Sequence, residues 1–202
     1  MDIFKELIKS LTPLLKQIGF SKKGNNFYLE ADKNYGIVNF QKSRDCTKEE
    51  VKFTINFGVY SNILGQVFDY SYDDLTKPDV TQCQWEARVG MFMPGSPDYW
   101  WYVSISDNLN NIISDIMKAI QSIIMPEINK RLSDEGLINC WMNEKYVGTT
   151  EIGRFKYLTT LLKSKRDFNT LNQLVETFML QSKGKPNVSM AIEHLKEIEY
   201  NI

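Results

Sequence analysis

The sequence predicts an α+β protein in which an antiparallel meander sheet of about five strands is packed by an N-terminal helix and a long central helix, with further helices at the C-terminal end. Three observations predict this fold class. Apolar residues recur at three- and four-residue spacing over residues 3–18, alternate with polar residues over residues 27–59, and return to helical spacing after Ser106. The connectors between the alternating stretches have hairpin length, which favours antiparallel pairing. With 43% hydrophobic and 24% charged residues, the chain has the composition of a folded globular protein.

The first predicted helix covers residues 3–18. Asp2 is placed to cap its start and Gly19 to end it. Pro13 lies inside the pattern and lacks the N–H that an interior helical position donates, so we expect a kink or a break near residues 10–12.

The alternating stretches predict the sheet. The strands fall at residues 27–31, 36–43, 51–59, 83–91 and 100–106. The last two are expected to form a hairpin through the Pro-Gly-Ser-Pro turn at residues 94–97, and the polar, weakly periodic residues 61–82 are expected to be a loop.

The rest of the chain is predicted to be helical. The longest helix covers residues 109–124, and Pro126 should end or bend it. Three more helices are predicted at residues 152–164, 167–181 and 187–200. We expect one domain over residues 1–202, made of a sheet-and-helix core at 1–135 and a helical extension at 136–202.

Charge and cysteine usage narrow the classes of partner. A net charge of −1 provides no positive field for phosphate backbones, so we expect no nucleic-acid partner. The apolar-rich stretch at residues 112–125 is interrupted by polar residues, while a membrane span needs about 20 mostly apolar ones. We expect no membrane partner. The cysteines Cys46, Cys83 and Cys140 are far apart and lack metal-ligand spacing, which favours a reducing, cytoplasmic setting without metal or cofactor.

Three stretches of the first third of the chain carry a resemblance. They read GFSKKGNNFY at residues 19–28, VNFQKS at 38–43 and FTINFGV at 53–59. This pattern resembles a bacterial family of domains of unknown function with the motifs GF-x-K-x-x-x-x-F, NFQKS and FTINxGV. The resemblance implies an α+β fold and a bacterial cytoplasmic setting. Because that family has no assigned reaction, it transfers no catalytic or binding residue.

Polar residues of the predicted sheet form the first candidate site. Asn39, Gln41 and Ser43 share one strand face, with Lys42 between them. Together with Asn56 and Arg88 they would form a polar patch on the exposed face of the sheet. The alternative is an ordinary solvated face, where polar side chains at alternate positions are normal.

Aromatic residues around the predicted last hairpin form the second candidate site. Strand alternation places Trp100 and Trp101 on opposite faces, so one of them should be less buried. An exposed Trp101 near Arg88 would anchor a protein partner, whereas helices covering that face would make it part of the core.

Other candidate chemistry is sparse. His194 is the single histidine, on a late polar-faced helix where we expect solvent exposure, and an acidic group around Asp69, Asp73, Asp74 and Asp79 lacks the spacing of a calcium loop. We expect no catalytic residue and no metal site.

Two functions remain open, with nucleic-acid binding ranked last. The first is a non-enzymatic bacterial protein-binding module, of which an immunity-type protein is one form. The alternative is an enzyme of unrecognised type that holds an anionic small molecule with Gln41, Lys42, Ser43 and Arg88, in a cleft between the sheet and the helices.

Overall fold

The computed structural model describes residues 2–47, 49–69, 76–144 and 148–200 and confirms the α+β class. The chain opens with helix α1 (Ile3–Gln17), followed by strands β1 (Ser21–Lys23), β2 (Asn26–Ala31), β3 (Asn34–Lys42) and β4 (Glu50–Tyr60). Helix α2 (Asn62–Phe68) precedes strands β5 (Trp85–Arg88) and β6 (Trp101–Ser104). The remaining helices are α3 (Leu109–Ala119), α4 (Met125–Arg131), α5 (Asp134–Asn143), α6 (Glu151–Lys165), α7 (Phe168–Gln181) and α8 (Asn187–Glu197).

Helix α1 is continuous across Pro13, so of the two outcomes expected near residues 10–12, a kink or a break, the break is wrong. Asp2 caps its start as predicted, through a hydrogen bond from the Lys5 N–H to the carboxylate at 3.3 Å. Its buried apolar side chains, such as Leu7 and Leu11, pack on the sheet, and this packing holds the helix together across the proline.

Strands β1 to β4 form an antiparallel meander, and β2, β3 and β4 lie where alternation predicts them. The turn between β2 and β3 uses Asp32 and Lys33, both with positive φ (49° and 68°), as the two central residues of a tight hairpin turn.

Strands β5 and β6 both pair with β4, and they do not form a hairpin with each other. Asn56 to Val59 pair with β5, while Glu50 to Phe53 pair with β6. The two strands therefore act as one edge strand that is interrupted by an excursion over residues 89–100. The excursion is fastened at its end by the Thr54 hydroxyl, which donates to the Tyr99 carbonyl at 2.8 Å.

Two helical expectations are corrected. Helix α2 lies inside the segment predicted as loop, where the Ser61 side chain caps it and Leu64 anchors it in the core. Of the two outcomes expected at Pro126, an end or a bend of the central helix, the end is wrong: α3 continues through a π-helical turn (Ile120–Ile124) into α4. The proline lies two residues after this turn, where the bonding changes from π-helical to α-helical, so its missing N–H is accommodated.

The main hydrophobic core lies between one face of the sheet and the helices α1 and α3. Side chains from α5 and α6 also belong to it: Leu137, Trp141, Leu158 and Leu161. A separate apolar cluster joins α6, α7 and α8, and a small one (Tyr28, Ile37, Tyr60, Val80) covers part of the opposite face of the sheet. No helix in the described ranges is long and apolar enough to cross a membrane.

Candidate functional site

A polar row crosses the face of the sheet that points away from α1 and α3, which we call the outer face. Its members are direct cross-strand neighbours: Asn26 pairs with Asn39, Asn39 with Asn56, and Asn56 with Arg88. Their sequence neighbours, such as Phe27 and Phe57, are buried in the main core, so strand alternation sends the row outward.

Side-chain hydrogen bonds connect neighbouring residues of the row. The Asn39 amide donates to the Asn26 carbonyl oxygen at 2.5 Å, and the Asn56 amide donates to Gln41 at 2.7 Å. The Nε of Arg88 donates to the Asn56 carbonyl oxygen at 3.3 Å. These bonds form two groups, Asn26 with Asn39 and Gln41 with Asn56 and Arg88, and the second group fixes the position of the Arg88 side chain.

Arg88 continues this network into the excursion. Its Nη1 lies 2.6 Å from the Asp98 carboxylate, which also accepts a hydrogen bond from the Trp100 indole N–H at 2.8 Å. Both hydrogen bonds lower the pKa of Asp98, and the bond from the Trp100 indole has a larger effect than the bond from the Arg88 guanidinium. The guanidinium carbon lies 5.2 Å from the Trp100 ring centroid, so the ring is held against the cation.

Lys52 and Tyr102 extend the arrangement along β4 and β6. The Lys52 ammonium lies 4.9 Å from the Trp100 ring centroid and 5.5 Å from that of Tyr102. Tyr102 is 53% exposed. The side chains of Arg88, Trp100, Lys52 and Tyr102 thus alternate cation and ring over the outer face, and we call them the cation–aromatic array.

An open cleft of about 680 Å³ lies beside the row. Gln41, Asn56 and Arg88 form part of its wall, and residues 148–150, just before α6, form another part. This segment lies against β5 because the Thr149 hydroxyl donates to the Gln84 carbonyl at 3.1 Å. Gly148, at φ +91°, allows the approach, since a Cβ there would lie 2.2 Å from a backbone oxygen of β5.

Glu86 also lines the cleft. Although the residue is exposed as a whole, partial burial of its carboxyl group raises its pKa.

The structure unites part of the predicted polar patch. Asn39, Gln41, Asn56 and Arg88 share the outer face. Lys42 does not join them, because strand alternation turns it to the other face of the sheet. Ser43 lies beyond the end of β3, where its hydroxyl bonds Asp45.

Trp101 belongs to the core and is not an exposed anchor. It is 4% exposed, its indole N–H donates to the Asp115 carboxylate at 2.7 Å, and its ring stacks on Phe53 with centroids 5.6 Å apart. Trp100 is the less buried member of the pair, as alternation predicts. Sequence reasoning did not propose Lys52 or Tyr102 as binding residues, although they are direct cross-strand neighbours at positions that face outward.

The remaining candidates take no part in the outer face. His194 is fully buried among the C-terminal helices, so its expected exposure is wrong. Asp69 accepts hydrogen bonds from Tyr60 and Gln82, while Asp73 and Asp74 lie outside the described residues. In the described part of the chain, no group of three or more metal-ligating side chains comes together.

Comparison with known proteins identifies the family. A family model described as a domain of unknown function, DUF4304, matches residues 11–130, which is more than half of the chain. The chain belongs to the DUF4304 family. This confirms the resemblance to a domain family without an assigned activity. No curated protein and no solved structure matches the chain.

The DUF4304 match begins inside α1 and ends inside α4, so it covers the whole sheet and the cation–aromatic array. Helices α5 to α8 and the 148–150 wall of the cleft lie outside it. The array is therefore built entirely from residues of the family domain.

Proposed function

We propose that this DUF4304 protein is a non-enzymatic binding module that engages another protein through the cation–aromatic array. The observation that carries the proposal is Trp100, held half-buried on the outer face between the cations of Arg88 and Lys52. Trp, Tyr and Arg dominate the energetics of protein interfaces, because each combines a large contact area with a polar group. Here the ring is oriented before binding, which reduces the entropy that association costs.

The charges of the array indicate the chemistry of the partner. Asp98 already pairs with Arg88, whereas Lys52 takes part in no ion pair among the described residues. We expect the partner to place a carboxylate over Lys52 and flat apolar surface over Tyr102. Met91, which is 44% exposed and lines the adjacent cleft, adds apolar contact area.

The polar row supports binding over catalysis. The side chains of Asn26, Asn39, Gln41, Asn56 and Arg88 all have hydrogen-bond partners on other side chains of the protein. Such a network stabilises the shape of a surface, while proton transfer needs a group that is free to face a substrate.

We place this function in the cytoplasm of a bacterium. The bacterial setting rests on the motif resemblance. The reducing compartment is supported by Cys46, Cys83 and Cys140, which are free thiols. An immunity-type protein, which binds and blocks a toxic protein, is one form that such a module takes.

The test uses a purified partner, obtained by affinity capture from a lysate of the source organism. Trp100→Ala should weaken the affinity of that partner at least tenfold, which corresponds to about 1.4 kcal/mol. Lys52→Glu should weaken it as strongly, and Lys52→Met less. The matched control is Phe168→Ala, which removes a 52%-exposed ring on α7, far from the sheet in sequence. A partner that binds the Trp100→Ala protein as tightly as the wild type rules out this surface.

A second candidate function follows from the cleft. Its volume of about 680 Å³ lies in the range of small-molecule sites, about 300–1,000 Å³, and Arg88 lies in its wall. An anionic ligand would accept hydrogen bonds from the guanidinium N–H groups of Arg88 that neither Asn56 nor Asp98 uses. Screening of anionic metabolites by thermal shift tests this function, and a hit should be lost in Arg88→Gln and kept in Trp100→Phe.

A further inference from the structure

A second concave surface lies between α1 and the turn that joins β1 to β2. It is a groove of about 500 Å³. Three of its lining residues are lysines of α1, Lys5, Lys9 and Lys16, and a fourth is Lys22 of β1. We call it the lysine groove. It is formed by different elements from the cation–aromatic array, which lies on β4, β5 and β6 with the excursion.

The charges of the groove are almost uncompensated. Of the four groove lysines, only Lys5 has a carboxylate partner among the described residues, namely Asp2 at 3.9 Å. The Lys5 side chain in this pair is 81% exposed. A pair of this kind contributes little because water screens it. Lys9, Lys16 and Lys22 are in no ion pair of the described part of the chain, and no acidic residue is among the groove's lining.

The sequence concentrates positive charge in this region. Residues 3–25 contain five lysines and one glutamate, whereas the whole chain has a net charge of −1. The N-terminal segment is therefore basic within an acidic protein. Segregation of this kind creates a local field that attracts negatively charged groups.

The floor of the groove is apolar. Phe4 and Ile8, each 6% exposed, lie at its base, and the exposed ring of Pro13 lines it further along α1. Lysines alone are common on solvated helix faces. Lysines around a concave apolar floor form a site for a ligand that carries both carboxylates and apolar side chains.

The length of the groove limits what fits. Along α1, Phe4 and Lys16 are twelve residues apart, which corresponds to about 18 Å at 1.5 Å per residue. An extended peptide of five or six residues covers the same length, at about 3.3 Å per residue. In such a peptide successive side chains point to opposite sides, so acidic residues would face the lysines while the apolar ones between them face the floor.

We infer that the lysine groove is a docking site for a short extended segment of another protein, in which acidic side chains alternate with apolar ones. A protein segment fits better than nucleic acid, because the floor carries aliphatic and proline surface. Its one aromatic ring, Phe4, is buried and offers no face on which a base would stack.

The test measures binding of defined probes to the full-length protein by fluorescence polarisation. The probes are a labelled ten-residue peptide that alternates glutamate with leucine and phenylalanine, the same peptide with glutamine in place of glutamate, and a ten-nucleotide single-stranded DNA. We expect the glutamate peptide to bind at least tenfold more tightly than the other two, with an affinity that falls as salt rises.

Charge reversal locates the site. The double variant Lys9→Glu/Lys16→Glu should bind the glutamate peptide at least tenfold more weakly than the wild type. The matched control reverses two exposed lysines on other helices, Lys118→Glu/Lys196→Glu, and should bind within about twofold of the wild type. Trp100→Ala should also bind normally, which separates this groove from the outer face.

Four results would overturn the inference. They are no binding of the glutamate peptide, equal binding of the glutamine peptide, tighter binding of the DNA, or the same loss in the control double variant as in Lys9→Glu/Lys16→Glu. Circular dichroism of each variant verifies that it is folded, and the glutamine peptide provides a comparison that does not depend on any substitution.

Discussion

His194 should make the stability of this protein depend on pH between about 4 and 6.5. The ring is 0% exposed, and its Nε2 lies 2.9 Å from the Thr159 hydroxyl oxygen. Phe68 and Phe155 flank it, with ring centroids at 5.7 and 6.5 Å. Burial lowers the pKa of His194 from 6.5 to about 4, and the nearby positive charge of Lys156 adds to the shift.

The direction of this pH dependence follows from the number of protons that the folded and unfolded states bind. Between pH 6.5 and pH 4 the unfolded chain binds a proton on His194 that the folded protein does not. Acidification therefore favours unfolding, and the lost stability is regained as the pH rises from about 4 to 6.5. The two pKa values give a loss of about 2 kcal/mol at pH 5 relative to pH 8 as an upper value. The Glu197 carboxylate, which lies 3.8 Å from Nδ1 and favours the protonated ring, and local relaxation both reduce this value, so we expect about 1–2 kcal/mol.

Urea unfolding at pH 8 and pH 5 tests this reasoning, with the wild type compared to His194→Gln. Glutamine has no titrating group and keeps an amide near the Thr159 hydroxyl, so the variant should lose about 1–2 kcal/mol less on acidification than the wild type does. Comparing the two proteins cancels the contributions of the carboxylates that they share. Parallel pH profiles, or an NMR titration that gives His194 a pKa near 6.5 in the folded protein, would refute the argument.

Three further predictions concern stability. Arg131→Ala should cost about 2–4 kcal/mol in urea unfolding, because Glu127 loses its cation, Glu144 keeps only Lys130, and the ring of Trp85, whose centroid lies 4.2 Å from the guanidinium, is uncovered. Arg131→Lys should cost less. Gly36→Ala should cost about 1–3 kcal/mol, since its Cβ would lie 2.3 Å from a methyl of Ile128, and Ile128→Leu should relieve part of that cost in a double-mutant cycle. We propose that the chain folds as one unit, so a protein ending at Arg131 should lack a cooperative thermal transition, and a sharp transition would contradict this.

The periodic elements could be predicted because their signal is local. Alternation over residues 51–59 places Asn56 outward and Phe57 inward, and the structure has them so. Short elements such as β1 and α2 were missed, because three to seven residues hold too little of a period to distinguish a helix or strand from a loop. Their formation depends on the surfaces against which they pack.

Strand pairing was harder to predict than strand location. The turn residues 94–97 indicated a hairpin, yet β5 and β6 each pair with β4, since the pairing partner depends on long-range contacts that a local pattern does not contain. The position of His194 was predictable in retrospect. Ala191, Leu195 and Ile198 are buried around it at helical spacing, so His194 lies on the apolar face of α8.

The interrupted edge strand has a consequence for how the binding surface can vary. Because β5 and β6 each pair with β4, the two ends of the excursion over residues 89–100 are fixed independently of each other. At its tip, Gly95 has φ +79° and open space around it, so added residues there would project into solvent. Trp100 stands at the point where the chain re-enters the sheet. Changes in the length or sequence of the excursion can therefore alter the surroundings of this ring, and with them the choice of partner. The register of the sheet stays unchanged.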